Sequence, residues 1–444
     1  MKKFHSAMIA ALLSSVSMVP AAMAQTTCPA ANGTVPPGAN TTNPSAPFFI
    51  DLTGLDLSTA PPTRNPANPN YPPATALPDG QLPSIYADGN YIIGPTHTAA
   101  PETVVQNGVP KGTVYTLTMS SNQSVIYKPG MIRDDPGGCL DAAIYLAQTT
   151  PGDPSNVLVP TSHPGTWTRT ITVYVPAQYR GGTEAPFLVA GDGGLGPLYT
   201  VLDNLIHEHR LPPMIAIGIG AGGQDAQGSE RGREYDTVSI DYAEWVEREV
   251  LPYVEQQLNV WLTRDPDARL TMGLSSSAAA AFTMAWFRPD LYHRVLGYSP
   301  TMVNQQWPHN TALPGGAWEY HSPWAGPAIP NLNAQGSTIT PSTFPDGSPL
   351  IPNSPTKPIR FWFEVGDQDL FYPDAPIADG MHDWTLANEN MAKVLAAKGY
   401  QYQFIFSRNA HHVDGPTVSQ TLPEALEWVW RGYRGVGRRE GRGF

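Results

Sequence analysis

Ser275, Asp369 and His412 are the residues of this chain whose types and order could do nucleophilic chemistry. A serine hydroxyl is a weak nucleophile at its free pKa. It needs an imidazole to take its proton, and the imidazole needs a carboxylate to hold its tautomer and stabilise its charge. Ser275 stands in Gly273-Leu274-Ser275-Ser276-Ser277, a Gly-x-Ser-x-Gly pattern with serine in place of the second glycine. That pattern holds the serine on a tight turn between a strand and a helix, its hydroxyl free beside the helix N-terminus. The plain alternative is a Ser/Ala-rich helix cap with no chemistry.

The acid and base of such a triad follow the nucleophile, on loops at the carboxyl ends of later strands. Asp369 lies in Gly366-Asp367-Gln368-Asp369-Leu370, just past an apolar run that ends at Val365. His412 lies in Asn409-Ala410-His411-His412-Val413-Asp414, just past a run that ends at Ser407. Asp367 and His411 are near enough to compete for the same roles. His411 and His412 do not suggest a metal: adjacent side chains point apart, and no third ligand is spaced to join them. An oxyanion hole needs two backbone N–H groups aimed at the developing charge. One is expected from Ser276, and the other from Asp192 or Gly193 in the turn Gly191-Asp192-Gly193-Gly194.

The elements that must position these residues alternate strand with helix from Trp167 onward. Thr168–Val175 alternates with period two, 186–190 and 214–219 are buried apolar runs, and Leu198–His207 is helical between them. A helix from about Tyr242 carries Val246, Val250, Val254 and Leu258 on one stripe, and Pro252 should kink or restart it. After the Ser275 turn come strands at 295–299, 359–365 and 402–407, a helix over 384–398, and a last helix expected to start at Pro423. This order predicts an α/β fold with a mostly parallel sheet covered by helices. Before it, residues 82–166 read as a β-rich region and residues 25–81 as an extended Pro/Asn-rich arm, with 48–52 able to anchor it. Residues 302–358 interrupt the alternation with a long Pro/Gly/Asn-rich insertion that carries Trp307, Trp318, Tyr320 and Trp324. These aromatics could face substrate, or simply pack on the body.

Composition narrows the setting. Met1-Lys2-Lys3, an apolar run from Ala7 to Val19 and Ala22-Met23-Ala24 form a secretory signal peptide over residues 1–24. No segment is long and apolar enough to span a membrane, so an exported protein is expected, periplasmic or extracellular. With 26 Lys+Arg against 38 Asp+Glu the net charge is −12, which argues against a nucleic-acid partner. Charged residues are only 14% of the chain, while it holds 47 Pro and 41 Gly. Ordered loops are therefore expected to carry specificity. Cys28 and Cys139 are the two cysteines, and an oxidising compartment permits a disulfide between them. The last ten residues, with Arg438, Arg439 and Arg442, read as a disordered basic tail.

Residues 167–434 resemble the esterase family of α/β-hydrolases that includes enterochelin esterases, feruloyl and acetyl xylan esterases and formylglutathione hydrolases. The resemblance rests on Val173-Tyr-Val-Pro176, the Asp192-Gly193 turn with Leu202-Asp203-Asn204-Leu205-Ile206, Arg231-Gly-Arg-Glu-Tyr235, Glu249-Val-Leu-Pro252, the Ser275 turn, Asp369-Leu370 and His412-Val-Asp414. It implies an α/β-hydrolase fold preceded by a β-rich region, with Ser275, Asp369 and His412 as the triad. It also implies an internal ion pair of Arg231 with Glu234 beside the site. The expectation is an exported serine esterase that needs no cofactor and acts on a small-molecule or carbohydrate ester. Feruloyl, acetyl-carbohydrate and siderophore-like esters remain open, as does oligomeric state. An acyltransferase on the same residues, or a binding protein with a degenerate site, are the alternatives.

Overall fold

The computed structural model describes residues 72–133, 162–194, 196–223, 229–303, 316–323, 348–370 and 383–433. The expected signal peptide, the anchor at 48–52, Cys28, Cys139, Trp307, Trp324 and the basic tail lie outside the described residues.

Fourteen strands are described. In chain order they are β1 Ala74–Ala76, β2 Gly89–Ile93, β3 Thr113–Ser120, β4 Gly130–Arg133, β5 Ser162–Gly165, β6 Thr168–Val175, β7 Glu184–Ala185, β8 Phe187–Gly191, β9 Ile215–Ile219, β10 Trp261–Leu262, β11 Arg269–Leu274, β12 Arg294–Tyr298, β13 Arg360–Gln368 and β14 Gln401–His411. Ten form one sheet in the order β1-β2-β14-β13-β12-β11-β8-β9-β6-β3, and β4·β5 and β7·β10 are two-stranded ribbons. Within the ten-stranded sheet β6 alone reverses direction, antiparallel to both β3 and β9. The β structure expected ahead of Trp167 does not all stand apart: β2 pairs with β14 and β3 pairs with β6, so both extend the main sheet.

The helices are α1 Leu198–His207, α2 Glu230–Tyr235, α3 Asp241–Trp245, α4 Leu251–Leu258, α5 Ser276–Phe287, α6 Leu350–Asn353, α7 Trp384–Ala397 and α8 Gly415–Trp430. α1 and α8 cover one face of the sheet, and α2 to α5 with α7 cover the other. This explains the continuous apolar runs. Along β8, Phe187 and Val189 join one core while Leu188 and Ala190 join the other, because successive side chains of a strand point to opposite faces. The result is the expected α/β-hydrolase arrangement. No helix among the described residues is long and apolar enough to cross a membrane.

Two prolines show how tertiary contacts reset helix boundaries. Between α3 and α4 the chain makes a π-helical turn over Val246–Val250 just ahead of Pro252, the restart that the missing N–H dictates. The last helix, by contrast, does not start at Pro423. It starts at Gly415, where Asp414 caps it by accepting from Thr417 N–H at 2.9 Å, and Pro416 takes the favoured first-turn place. Pro423 sits mid-helix, and the carbonyl of Ser419 that its ring cannot serve accepts instead from Ala100 N–H at 2.9 Å.

Candidate active site

The site lies where the parallel strands end, as ligand sites do in open α/β sheets. β11 delivers Ser275 to a turn with φ +53° and ψ −125°, outside the regions an L-residue favours. The turn is held open on several sides. Ser275 N–H donates to Tyr298 O at 2.9 Å, and its carbonyl accepts from the N–H groups of Ala278, Ala279 and Thr301 at 3.0, 3.2 and 3.2 Å. Gly273 is required here, since a Cβ on it would lie 2.2 Å from the backbone of Ser277. Ser277, which occupies the usual glycine position, keeps the turn intact. Its Oγ donates to Leu274 O and accepts from Leu274 N–H, both at 2.8 Å.

Of the two candidate acids, Asp369 is the one that meets an imidazole. Its side chain is fully buried, and Oδ1 lies 2.6 Å from His412 Nδ1 and accepts from Leu370 N–H at 2.6 Å. Asp367 is used elsewhere, accepting from Asn409 N–H at 2.9 Å. His411 ends β14 and is exposed, whereas His412 lies just beyond it. Trp384, the first residue of α7, packs edge-to-face on the His412 ring at 5.9 Å and 88°. Beneath them, burial lifts the Glu364 carboxyl well above the usual carboxylate range.

Residues 298–301 link the two halves. Tyr298 O and Thr301 N–H hold Ser275, while Ser299 Oγ accepts from Val413 N–H at 2.9 Å, next to His412. Ser299 and Val413 both have positive φ, 45° and 49°. A β-branched residue in that region is strained, and such strain gathers at functional sites. No hydrogen bond joins Ser275 to His412; the Ser275 Oγ lies 3.4 Å from Thr301 Oγ1. Thr301, Ser299 and Trp384 carry no motif in sequence and become legible only in space.

The amides expected to form an oxyanion hole differ in their surroundings. Ser276 opens α5, so its N–H has no intrahelical acceptor and adds to the positive end of the helix dipole. The amides of Asp192 and Gly193 are already engaged. Asp192 N–H donates to the Tyr235 hydroxyl at 3.1 Å and Gly193 N–H to Ile219 O at 3.0 Å.

The expected Arg231–Glu234 pair is also corrected. Arg231 forks onto Asp192, with Nε–Oδ1 and Nη2–Oδ2 both at 2.9 Å. Glu234 pairs with Arg169, whose guanidinium lies between the rings of Trp167 and Trp245 at 3.9 and 4.3 Å. Residues three apart on α2 thus reach different partners.

Trp318 and Tyr320 do not form a solvent-facing aromatic surface. They lie on a short 3-10 helix, 6% and 1% exposed, in the core beneath α5. Tyr320 packs on Trp286 and donates to Thr283 Oγ1 at 2.8 Å. Thr283 and Trp286 are seven and ten residues beyond Ser276, roughly 10–15 Å along the helix.

Residues 162–404 match the sequence profile of the family described as Putative esterase. No protein with a curated functional description matches the chain. Among solved structures, the chain is similar to the enterobactin esterase of Shigella flexneri at 19% identity, covering 59% of this chain and 55% of that one, TM-score 0.39. The chain therefore spans about half the length of that enzyme. It is similar to a CE1 ferulic acid esterase of Anaeromyces mucronatus in complex with ferulic acid at 14% identity, covering 76% and 98%, TM-score 0.44. A feruloyl esterase module from Clostridium thermocellum complexed with sinapinate matches at 13% identity, covering 78% and 96%, TM-score 0.40.

Proposed function

Since the chain belongs to this esterase family, we propose that it is an exported serine hydrolase of small carboxylic esters, with Ser275 as nucleophile, His412 as general base and Asp369 as the acid that orients it. The observation that carries this reading is the shared anchor at residues 298–301. It ties the strained Ser275 turn and the segment after His412 to one rigid stretch, while Asp369 holds His412 Nδ1 at 2.6 Å.

In the proposed reaction His412 Nε2 takes the Ser275 proton as Oγ attacks the ester carbonyl carbon. The hydrogen bond from Ser275 to His412 forms when substrate engages. Negative charge gathers on the former carbonyl oxygen, toward the Ser276 N–H and the N-terminus of α5. Collapse of the intermediate breaks the ester C–O bond, and His412 returns its proton to the departing alcohol. Water, deprotonated by the same imidazole, then attacks the acyl-enzyme, and the acid leaves as Ser275 recovers its proton.

A burst of p-nitrophenol from a short acyl ester, reduced by roughly 10⁴-fold or more in Ser275→Ala, is the expected result. No burst at any acyl length would remove the serine mechanism. A panel of feruloyl, acetyl-sugar and siderophore-like esters identifies the substrate class, and an added acceptor alcohol reports any acyl transfer. Export predicts that the mature protein begins at Gln25, which N-terminal sequencing of the secreted or periplasmic fraction checks.

A further inference from the structure

At the opposite end of the sheet from Ser275, where β12, β13 and β14 begin, lies a cleft of about 410 Å³. Arg294 and Arg360, the first residues of β12 and β13, both line it and are direct register partners on adjacent strands. Like charges placed side by side on a sheet destabilise it unless something answers them. Lys357 also lines the cleft, with its ammonium toward the end of α5 rather than of α8.

No carboxylate is hydrogen-bonded to these three among the described residues, although Asp267 lines the same cleft and favours the charged form of both arginines. Arg294 Nε donates to Asp267 O at 2.7 Å, and its Nη1 to Val429 O. Arg360 Nη1 donates to Arg431 O at 2.8 Å, and its Nη2 to Gln401 Oε1 at 2.9 Å. Lys357 Nζ donates to Trp286 O at 2.6 Å. The nearby carboxylates are committed, Asp267 to His293 Nδ1 at 2.8 Å and Asp88 to Arg431.

The carbonyls named belong largely to the C-termini of α5 and α8, so part of this charge serves the helix dipoles. Each helix end carries only about half a negative charge, roughly one in total against three cations. The Asp267 carboxylate, which also lines the cleft, answers a further one, so about one positive charge remains there, in a chain whose net charge is −12. Arg294 is 6% exposed, and burial draws it down to about 10; burial and the guanidinium groups of Arg294 and Arg431 do the same to Arg360. The cations are thus held at a cost that a counter-ion would remove.

We propose that this cleft binds a small organic anion bearing a carboxylate or phosphate group, at a site separate from Ser275. Guanidinium forks fit both oxyanions. The cleft is of small-ligand size, in the range of about 300–1,000 Å³, larger than inorganic phosphate fills. Tyr400 and Ile359 give it an apolar wall for the ligand's body. The inference does not depend on the esterase reading.

The test is calorimetric titration and thermal unfolding of the mature protein at fixed ionic strength, with citrate, glycerol 3-phosphate and inorganic phosphate, and with glycerol as the neutral control. Saturable binding of citrate or glycerol 3-phosphate with Kd of about 1 mM or tighter is expected, with a matching rise in Tm. Tighter citrate assigns a carboxylate ligand, and tighter glycerol 3-phosphate a phosphate one. Gln401→Glu, an isosteric change at an exposed position, puts a carboxylate onto the Arg360 fork. It should raise Tm without ligand and weaken binding by roughly tenfold or more. Lys357→Gln should weaken binding by a similar factor and leave ester turnover unchanged. The proposal is overturned if none of the three anions binds saturably, or if binding is the same in both variants.

Discussion

Ser277 and Gly191 share one space: a Cβ built on Gly191 would lie 2.4 Å from the Ser277 Cβ. The turn at Ser275 needs close approach between α5 and its neighbouring strands, and the usual second glycine provides it from the helix side. Here the helix carries a serine and β8 carries the glycine. The expected outcome is compensation. Gly191→Ala alone should cost about 1–3 kcal/mol by overpacking. Ser277→Gly alone should cost about 1 kcal/mol through the two lost Leu274 hydrogen bonds, with ester turnover largely kept. Together they should cost less than their sum, by about 1 kcal/mol or more in urea unfolding. Additivity to within about 0.5 kcal/mol would show that the two positions are independent.

Asp369 and Asp367 separate by partner, since only Asp369 reaches His412. If the proposed mechanism holds, Asp369→Asn lowers kcat by roughly 10³–10⁴-fold, because an amide cannot stabilise the imidazolium and favours the wrong tautomer. Asp367→Asn keeps an acceptor for Asn409 N–H and should stay within about tenfold of the parent. Steady-state rates on one p-nitrophenyl ester decide it. A larger loss in Asp367→Asn would reverse the assignment.

Much of the scaffold was readable because it depends on short-range pattern. The run over Ile215–Ile219, Gly218 included, is buried at every position, so no alternation was needed to recognise a strand covered on both faces. What escaped depends on partners distant in sequence. Pro423 looks like a helix start until Ala100 is seen to satisfy Ser419. Asp192 and Gly193 look like free amides in a glycine-rich turn until the Tyr235 hydroxyl and Ile219 O are placed against them. Arg231 and Glu234 have helical pairing distance, yet each finds a better partner on another element. Trp318 and Tyr320 stand in a stretch without periodicity, so nothing local says that they turn inward.

Arg231 is expected to position the Asp192 turn rather than touch the reacting atoms. Its fork restrains a residue with φ +53°, and Tyr235 holds the same residue's N–H. Arg231→Lys keeps the charge but loses the two-point grip. We expect kcat on a p-nitrophenyl ester to fall by about 10-fold with KM little changed, and Arg231→Met to fall further. Equal activity in Arg231→Lys and the parent would show that a point charge is enough.

Glu389, on α7, predicts a pH dependence of stability. Burial alone raises its carboxyl from 4.5 to about 8. The folded chain therefore binds more protons at this group than the unfolded chain between those values, and the slope of stability with pH is negative there. Its contribution is fully present below about 4.5 and is lost as pH rises through about 8. Glu230 and Glu424, raised to about 8 and about 7, act in the same direction. Glu389→Gln stays neutral throughout. It should leave the urea midpoint unchanged at pH 4.5 and raise stability at pH 9 on the order of 2 kcal/mol, flattening the decline. A variant whose stability falls between pH 5 and 9 as steeply as the parent would mean that Glu389 is hydrated or paired when the chain is folded.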